Sequence, residues 1–576
     1  MQLVRRFRIP ALLCSLAVLF CELISHPFAN TGICDDGPYV LMANTLATTG
    51  HVVYNGWANP MIGWQLYIGA AFIRLFGLSF TAVRMSTLLI SLLLVFFLQR
   101  CFVRAGITEN NASMATLTLV LSPLYLMMSV VYMTDIFGLF ATVICLYGCL
   151  RALQSTTPNA TIFWLCFAVT TNAIFGTARQ IAWLGILVML PSTLWLLRAQ
   201  RRVLIAGSAA TLAGATFIFA CLQWLKHQPY SIPEHLVPET FPISGTLWTA
   251  THFSLELPLL LLPILFLFFL RLRTHGLRSV FAISIVIFGY LFLCFHPSRF
   301  QSHFLLEPTA NDWICASTTF LFTQLLGVAP VLLPIWLRIL LTIASLGAAF
   351  SLVVSLIDSK PTPAAAASAL KLPWNQIGVL VAPFILAYSL LLIPRATGFS
   401  LSDRYFLPLA VVALLCLARY FQDTVQPQFP PITALLVALM ALYGVIFTHN
   451  AFAFYRARVA LADELHAAGI ADTSVDSGWE YNLNVELQHA SHINDPHILV
   501  PANSFVPQTL SASGICSMSD FWRTYTPHIH AVYGVSFGSN VCGGPAPIAP
   551  VHYSRWPYPT PGTLYVVRYT ATPATR

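Results

Sequence analysis

Two adjacent carboxylates, Asp35 and Asp36, stand in the segment GICDDGPYVLMANTLATTGHVVYNGW, just beyond an apolar run that Arg5, Arg6 and Arg8 precede. Side by side at a partly buried boundary, such groups repel one another. One pKa then rises, which suits its owner to take a proton or to help bind a cation. A plainer role is also open to them, because an Asp ahead of a helix can satisfy the free N–H groups of the first turn. A third acid, Asp135, follows Met133 and Thr134 in YMTDIF, again where a helix is expected to begin. Glu22, near the far end of the first apolar run, could face the same space.

The elements that must position these acids are those of a membrane protein. Charged residues make up only 9% of the chain, against about 25% in ordinary soluble domains, and the mean hydropathy is +0.74. Runs of roughly 20 apolar residues, the length of a helical span, recur from Ile9 to about Phe447. A porin-like barrel would show alternating strands instead, and none are evident. The net charge of +8 is no nucleic-acid footprint, since the basic residues gather in short loops of the kind retained in the cytoplasm.

Those loops give a topology of about thirteen transmembrane helices with the N-terminus inside. Span 1 (about 9–29) carries the chain out into a first outer loop, 30–79, in which 36–50 reads as a short helix and 59–77, interrupted by Arg74, lies along the interface. Span 2 (about 80–99) returns inside to Arg100 and Arg104, and span 3 (about 114–132) leads out again to YMTDIF. Spans 4, 5 and 6 end at Arg151, GTARQ and RAQRR (198–202); span 7 leads to the polar loop KHQPYSIPEHLVPETFPISG and span 8 to RLRTHGLR (271–278). Spans 9 to 12 end at HPSRFQSHF, DSKPTP, IPRATGFSLSDRY and ARYFQD, and span 13 ends at about His449. With 59–77 interfacial, both strong basic clusters, RAQRR and RLRTHGLR, fall inside. The first segment shows no clean small-x-small cleavage site and is expected to remain as a span rather than a signal peptide.

From Ala451 the composition changes, and residues 450–576 are expected to form an extracytoplasmic soluble α/β domain large enough for its own core. It opens with the amphipathic FYRARVALADELHAAGI, and TLYVVRY near its end alternates like a strand. Cys516 and Cys542 would then meet an oxidising compartment and could pair. No C-x-x-C pair, Gly-rich phosphate loop or Walker motif is present, so an ATP-driven pump has no support.

An ordered set of motifs carries a family resemblance. The acid pair opens a short helix and is followed by T-G-x-x-x-Y-x-G-W, then by L-Y-I-G-A-A-F-I-R-L-F-G-x-S-x-x-A-V-R; M-T-D comes later, and R-Y-F-L-P (404–408) opens a late span. The chain resembles the membrane glycosyltransferases of the C fold, in the branch holding protein O-mannosyltransferases and the lipid A aminoarabinose transferase. That resemblance implies transfer of a sugar from a polyprenyl-phosphate-linked donor to an acceptor on the outer face of a bacterial inner or plasma membrane. It aligns Asp35 with the family's catalytic acid, Asp36 with the adjoining acidic position and Asp135 with the second acid. Such chemistry asks for a base to deprotonate the acceptor and for cations to hold the departing phosphate. Arginines near the outer face suit the second task, and Arg179 and Arg404 are the leading candidates. His227, His235 and His252 lie in or beside the loop where relatives place donor-contacting groups.

The chain also departs from the aminoarabinose transferase pattern. Where that pattern has a basic residue three after the first Asp, and a lysine before the Pro of the second interfacial segment, this chain has Pro38 and Asn59. Both changes argue against aminoarabinose transfer to lipid A. Tyr54, Trp57 and Trp64 instead make the first loop aromatic; Tyr54 and Trp57 are candidates to stack on a sugar, though the same residues suit an interfacial belt. Asn111 and Asn159 begin N-x-S/T triplets but fall in inside loops, where glycosylation is not expected. A divalent cation could join the acids, no cofactor is implied, and the acceptor could be protein, lipid or glycan. Two competing classes are a polysaccharide polymerase or ligase and a transporter or flippase of lipid-linked glycans. The acids gathered toward one face and the lack of an internal repeat disfavour the transporter.

Overall fold

The computed structural model describes residues 9–57, 63–231, 256–269, 325–358, 372–396, 402–493 and 525–570, with short stretches of backbone between 281 and 315. Apolar runs become helices because a backbone in lipid must satisfy its own hydrogen bonds. Eight described helices are long and apolar enough to cross a bilayer: Phe80–Arg104, Thr134–Leu153, Pro158–Ala178, Arg201–Lys226, Ile335–Leu356, Trp374–Ile393, Asp403–Thr424 and Ile432–Ala467. Ile9–Ser25 and Gln180–Leu196 are apolar but shorter. The chain is a polytopic helical membrane protein. Of the thirteen anticipated crossings, the one expected near 114–132 is two pieces, Glu109–Val120 and Pro123–Ser129, bent by 74°. Pro123 cannot donate into the preceding turn, and the Ser122 hydroxyl accepts from Tyr125 N at 3.2 Å to start the second piece. The crossing expected to end at HPSRFQSHF lies largely outside the described residues.

The segment anticipated as the first outer loop folds as two short helices. Asp36–Thr49 ends where Gly50 takes a left-handed conformation (φ 77°). Trp64–Phe76 has 13 residues, about 20 Å of helix, too short for a hydrocarbon core of about 30 Å. It packs on the first helix, and the two are locked to the 130–133 turn by Tyr132, whose hydroxyl donates to Gln65 O at 2.6 Å.

A four-stranded sheet lies in the C-terminal region, in the order Val475–Asp476, Tyr533–Ser536, Gly562–Arg568, Val551–Tyr553. Val475 pairs in parallel with Tyr533, while Tyr533 opposes Arg568 and Val551 opposes Leu564 in antiparallel register. The Ile432–Ala467 helix runs 36 residues through the anticipated boundary at 449/450 without a break. Its C-terminal half packs on the sheet region through Phe454, which stacks on Phe537 at 5.7 Å. Arg456 on the same helix donates to the carbonyls of His26 and Phe28, tying it to the end of the first apolar helix. Cys542 is disulfide-bonded; Cys516, its anticipated partner, lies outside the described residues.

Candidate active site

Four charged side chains from four elements converge. Asp35 immediately precedes the Asp36–Thr49 helix and Asp135 sits in the first turn of Thr134–Leu153. Arg179 follows the end of Pro158–Phe175, and Arg404 lies in the single turn Asp403–Phe406 that heads Leu407–Thr424. Arg179 Nη1 donates to Asp135 Oδ1 at 2.5 Å and to Thr134 Oγ1 at 3.2 Å. The Arg404 guanidinium stands between the two acids, 3.9 Å from Asp35 Oδ2 and 3.8 Å from Asp135 Oδ1. At those separations it is an ion-pair partner to both but hydrogen-bonded to neither. Tyr405 underlies both cations, its ring 4.7 Å from the Arg179 guanidinium and 5.6 Å from that of Arg404.

Local structure explains how Arg179 arrives there. The chain between Pro158–Phe175 and Leu190–Leu196 is not a regular helix; it makes two tight turns, 176–178 and 180–183, then a wide turn over Gly185–Met189. Arg179 is the extended residue between the tight turns (φ −151°, ψ 108°). The broken ladder leaves backbone groups that lipid cannot satisfy. Buried Asn172 takes up two of them, donating to Ala182 O and accepting from Ile186 N, and also donates to Ala141 O on the Thr134–Leu153 helix. Space for the arginine comes from Gly138, one turn after Asp135, where a Cβ would fall 2.7 Å from Arg179 Cβ.

The two adjacent acids divide their labour. Asp35 forms no cap with its side chain, although it precedes the helix. Its Oδ1 accepts from the Trp479 indole at 3.4 Å, its Oδ2 faces Arg404, and 22% of the side chain is exposed. Burial pushes its carboxyl above the ordinary range; the Arg404 charge and indole hydrogen bonds from Trp479 and Trp57 oppose this, while the Glu480 charge adds to it. The residue before it, Cys34, holds a left-handed backbone (φ 54°), a conformation that strains a non-glycine residue and is frequent at functional sites.

Asp36, in contrast, is wholly buried. Arg84 Nε meets its Oδ2 at 2.7 Å, Arg84 Nη2 meets Oδ1 at 3.1 Å, and Ile33 N donates to Oδ1 at 2.7 Å. Arg84 continues to the carbonyls of Ala29 and Thr31. Asp36 therefore fastens the loop that presents Asp35 through Arg84 and Ile33 N, rather than pairing with Arg179 or Arg404.

The remaining anticipated residues are dispersed. Trp57 joins Asp35 through an aromatic trio, 4.5 Å from Trp479 and 5.8 Å from Tyr525. Tyr54 is buried and tilts on Trp224 instead, and Trp64 anchors on Phe175 O at 2.6 Å. Glu22 is buried against Ser25 and Ser129, and exposed His227 turns back to Gln223 O. His235, His252 and Asn59 lie outside the described residues. Arginine between two carboxylates does not make a divalent-cation site, and among the described residues no group of three or more His, Cys, Asp or Glu side chains converges. The sequence reading missed Trp479, Tyr405, Asn172 and the role of Arg84. An arginine inside an apolar helix is itself a signal, but nothing near Trp479 in sequence points to Asp35.

No family model matches the chain, and no curated protein matches it. Among solved structures, apo ArnT from Cupriavidus metallidurans is similar at 16% identity and a TM-score of 0.38, covering 79% of each chain. ArnT from the same organism bound to undecaprenyl phosphate aligns at 14% identity and a TM-score of 0.36, over 90% of this chain and 84% of that one. The arabinosyltransferase EmbB from Mycobacterium smegmatis aligns at 14% identity and a TM-score of 0.30, over 83% of this chain and 42% of that one. Likeness at this depth leaves the chemistry to the side chains themselves.

Proposed function

We propose that the chain is a membrane glycosyltransferase that moves a sugar from a polyprenyl-phosphate donor to a hydroxyl or amine acceptor on the outer membrane face. The observation that supports it best is the partly exposed, desolvated Asp35 carboxylate facing an arginine that is paired in turn with a second acid–arginine couple. Asp35 takes the acceptor proton as the acceptor atom attacks the anomeric carbon. The bond from that carbon to the phosphate oxygen breaks, and its electron pair leaves with the polyprenyl phosphate. Arg404 and Arg179 receive the growing charge on the phosphate, where a fixed guanidinium lowers the barrier without reorganising. Asp135 holds the two arginines at the spacing this needs. With 2% of its side chain exposed, it is the less accessible acid and serves as the cations' anchor.

The test is an assay of purified protein in lipid with a panel of polyprenyl-phosphate sugars, following donor consumption. Turnover of at least one donor, falling about 10²–10⁴-fold in Asp35→Asn, is the expected result. A protein that consumes none of the donors, or an Asp35→Asn variant of near-normal turnover, overturns the reading. Two structural facts favour this class over a transporter. The charged groups cluster at helix ends, and the acid they present is held by a residue from the sheet-bearing region.

A further inference from the structure

The turn that carries Trp479 is built with more care than a surface loop needs. Gly478, at φ 82°, adopts a backbone that other residues avoid, and this starts the Trp479–Ala490 helix. Asp476 holds the turn from one side, accepting from Gly478 N at 3.1 Å, from Asn482 Nδ2 at 2.7 Å and from the Tyr569 hydroxyl at 2.7 Å. Glu480 holds it from the other, accepting from the Tyr455 hydroxyl at 2.6 Å and from Arg458 at 2.8 Å. Arg458 also donates to Ser477 O. Between these clamps, Trp479 is 2% exposed, its indole packed against Trp57 and Tyr525, with its N–H directed at Asp35 Oδ1.

We propose that Trp479 is a positioning residue: the sheet-bearing C-terminal region completes the transferase site by orienting the Asp35 carboxylate through the indole N–H. With Oδ1 engaged by the indole, Oδ2 is the oxygen turned to Arg404 and the one left to receive the acceptor proton. The role rests on the transferase reading above, with Asp35 as base. Other groups that face Asp35 are the Arg404 cation, the Glu480 carboxylate, the Trp57 indole and the Tyr39 phenol one turn along its own helix.

A hydrogen bond to a carboxylate favours its charged form. Removing the N–H should therefore raise the Asp35 pKa and move the acid limb of the kcat pH profile upward by up to about one unit. The experiment compares wild type with Trp479→Phe, and with benzothienylalanine at 479, which keeps the bicyclic shape and lacks the N–H, over a pH series. Both should show the upward shift and a fall of about 3- to 30-fold in kcat near neutrality, with the donor KM within about twofold of wild type. An acid limb that stays in place in the folded benzothienylalanine protein overturns the inference, even if Trp479→Phe fails to fold. A wild type that transfers from no donor overturns the function instead, so the two failures are distinct.

Discussion

Asp35 and Asp36 are neighbours of one residue type with opposite environments, and substitution should separate them. Asp36 and Arg84 are both fully buried. Removing one partner of such a pair strands the other charge and costs about 3–5 kcal/mol, so Asp36→Asn should lower the melting temperature sharply in a detergent unfolding assay. Asp35 behaves the other way. A carboxyl whose pKa is raised by folding adds stability below its unfolded pKa and loses it as pH climbs through the folded value. Above that folded value its charge is a cost, and there Asp35→Asn should leave the melting temperature unchanged or higher while abolishing most turnover. The same raised pKa predicts that wild-type turnover increases with pH through a limb above the usual carboxylate range, and a flat acid profile would contradict it. The acid pair was legible as the likeliest chemistry from type and spacing alone. The family resemblance already singled out Asp35 as the base; that Arg84 takes up Asp36 was not legible, because Arg84 sits 48 positions away on another helix.

At the scale of elements, the irregular stretch 176–189 is the feature that sequence periodicity could least reveal. Its residues are apolar enough to read as the end of one span and the start of the next. What breaks the helix is that Asn172 can satisfy the freed backbone groups, a fact of tertiary contact. Asn172→Leu keeps the volume and leaves buried donors and acceptors unmatched, at about 1–3 kcal/mol each. The expected outcome is a destabilised protein whose donor KM rises because Arg179 is no longer fixed. Gly138→Ala probes the same placement from the opposing helix. Its new Cβ would crowd Arg179 Cβ, an overpacking of typically 1–3 kcal/mol, and should weaken donor binding more than thermal stability. For the segment 59–77, by contrast, Arg74 was the sequence signal for an interfacial rather than a spanning helix; that only Trp64–Phe76, 13 residues, is helical came from the structure.

For the whole molecule, the sequence carried the class well: few charges and repeated apolar runs yield a polytopic bundle, and the late change of composition marks the sheet. Its limits are also physical. Hydropathy counts apolar residues, so it cannot see that Pro123 bends one crossing or that the Ile432–Ala467 helix continues far beyond the bilayer. At 36 residues that helix is about 54 Å long, against a hydrocarbon core of about 30 Å. The topology makes a direct prediction: cysteine placed at Gln200 should react with an impermeant reagent only from inside, and cysteine at Thr560 only from outside. Labelling of residue 200 from outside would invert the proposed face of the site. Cutting the chain at 449/450 should yield an insoluble fragment, since the cut falls among buried residues from Phe447 to Tyr455.

The contact between Asp35 and Trp479 joins positions 444 residues apart. A ribosome adding about 5–20 residues per second therefore exposes the acid on the order of half a minute or more before the indole exists. A chain inserted only in part already displays its carboxylate to the lipid surface, but without the group that aims it. If Trp479 orients Asp35 as proposed, that orientation is reached only once the C-terminal region has been made, and chains truncated before Trp479 are expected to turn over more slowly.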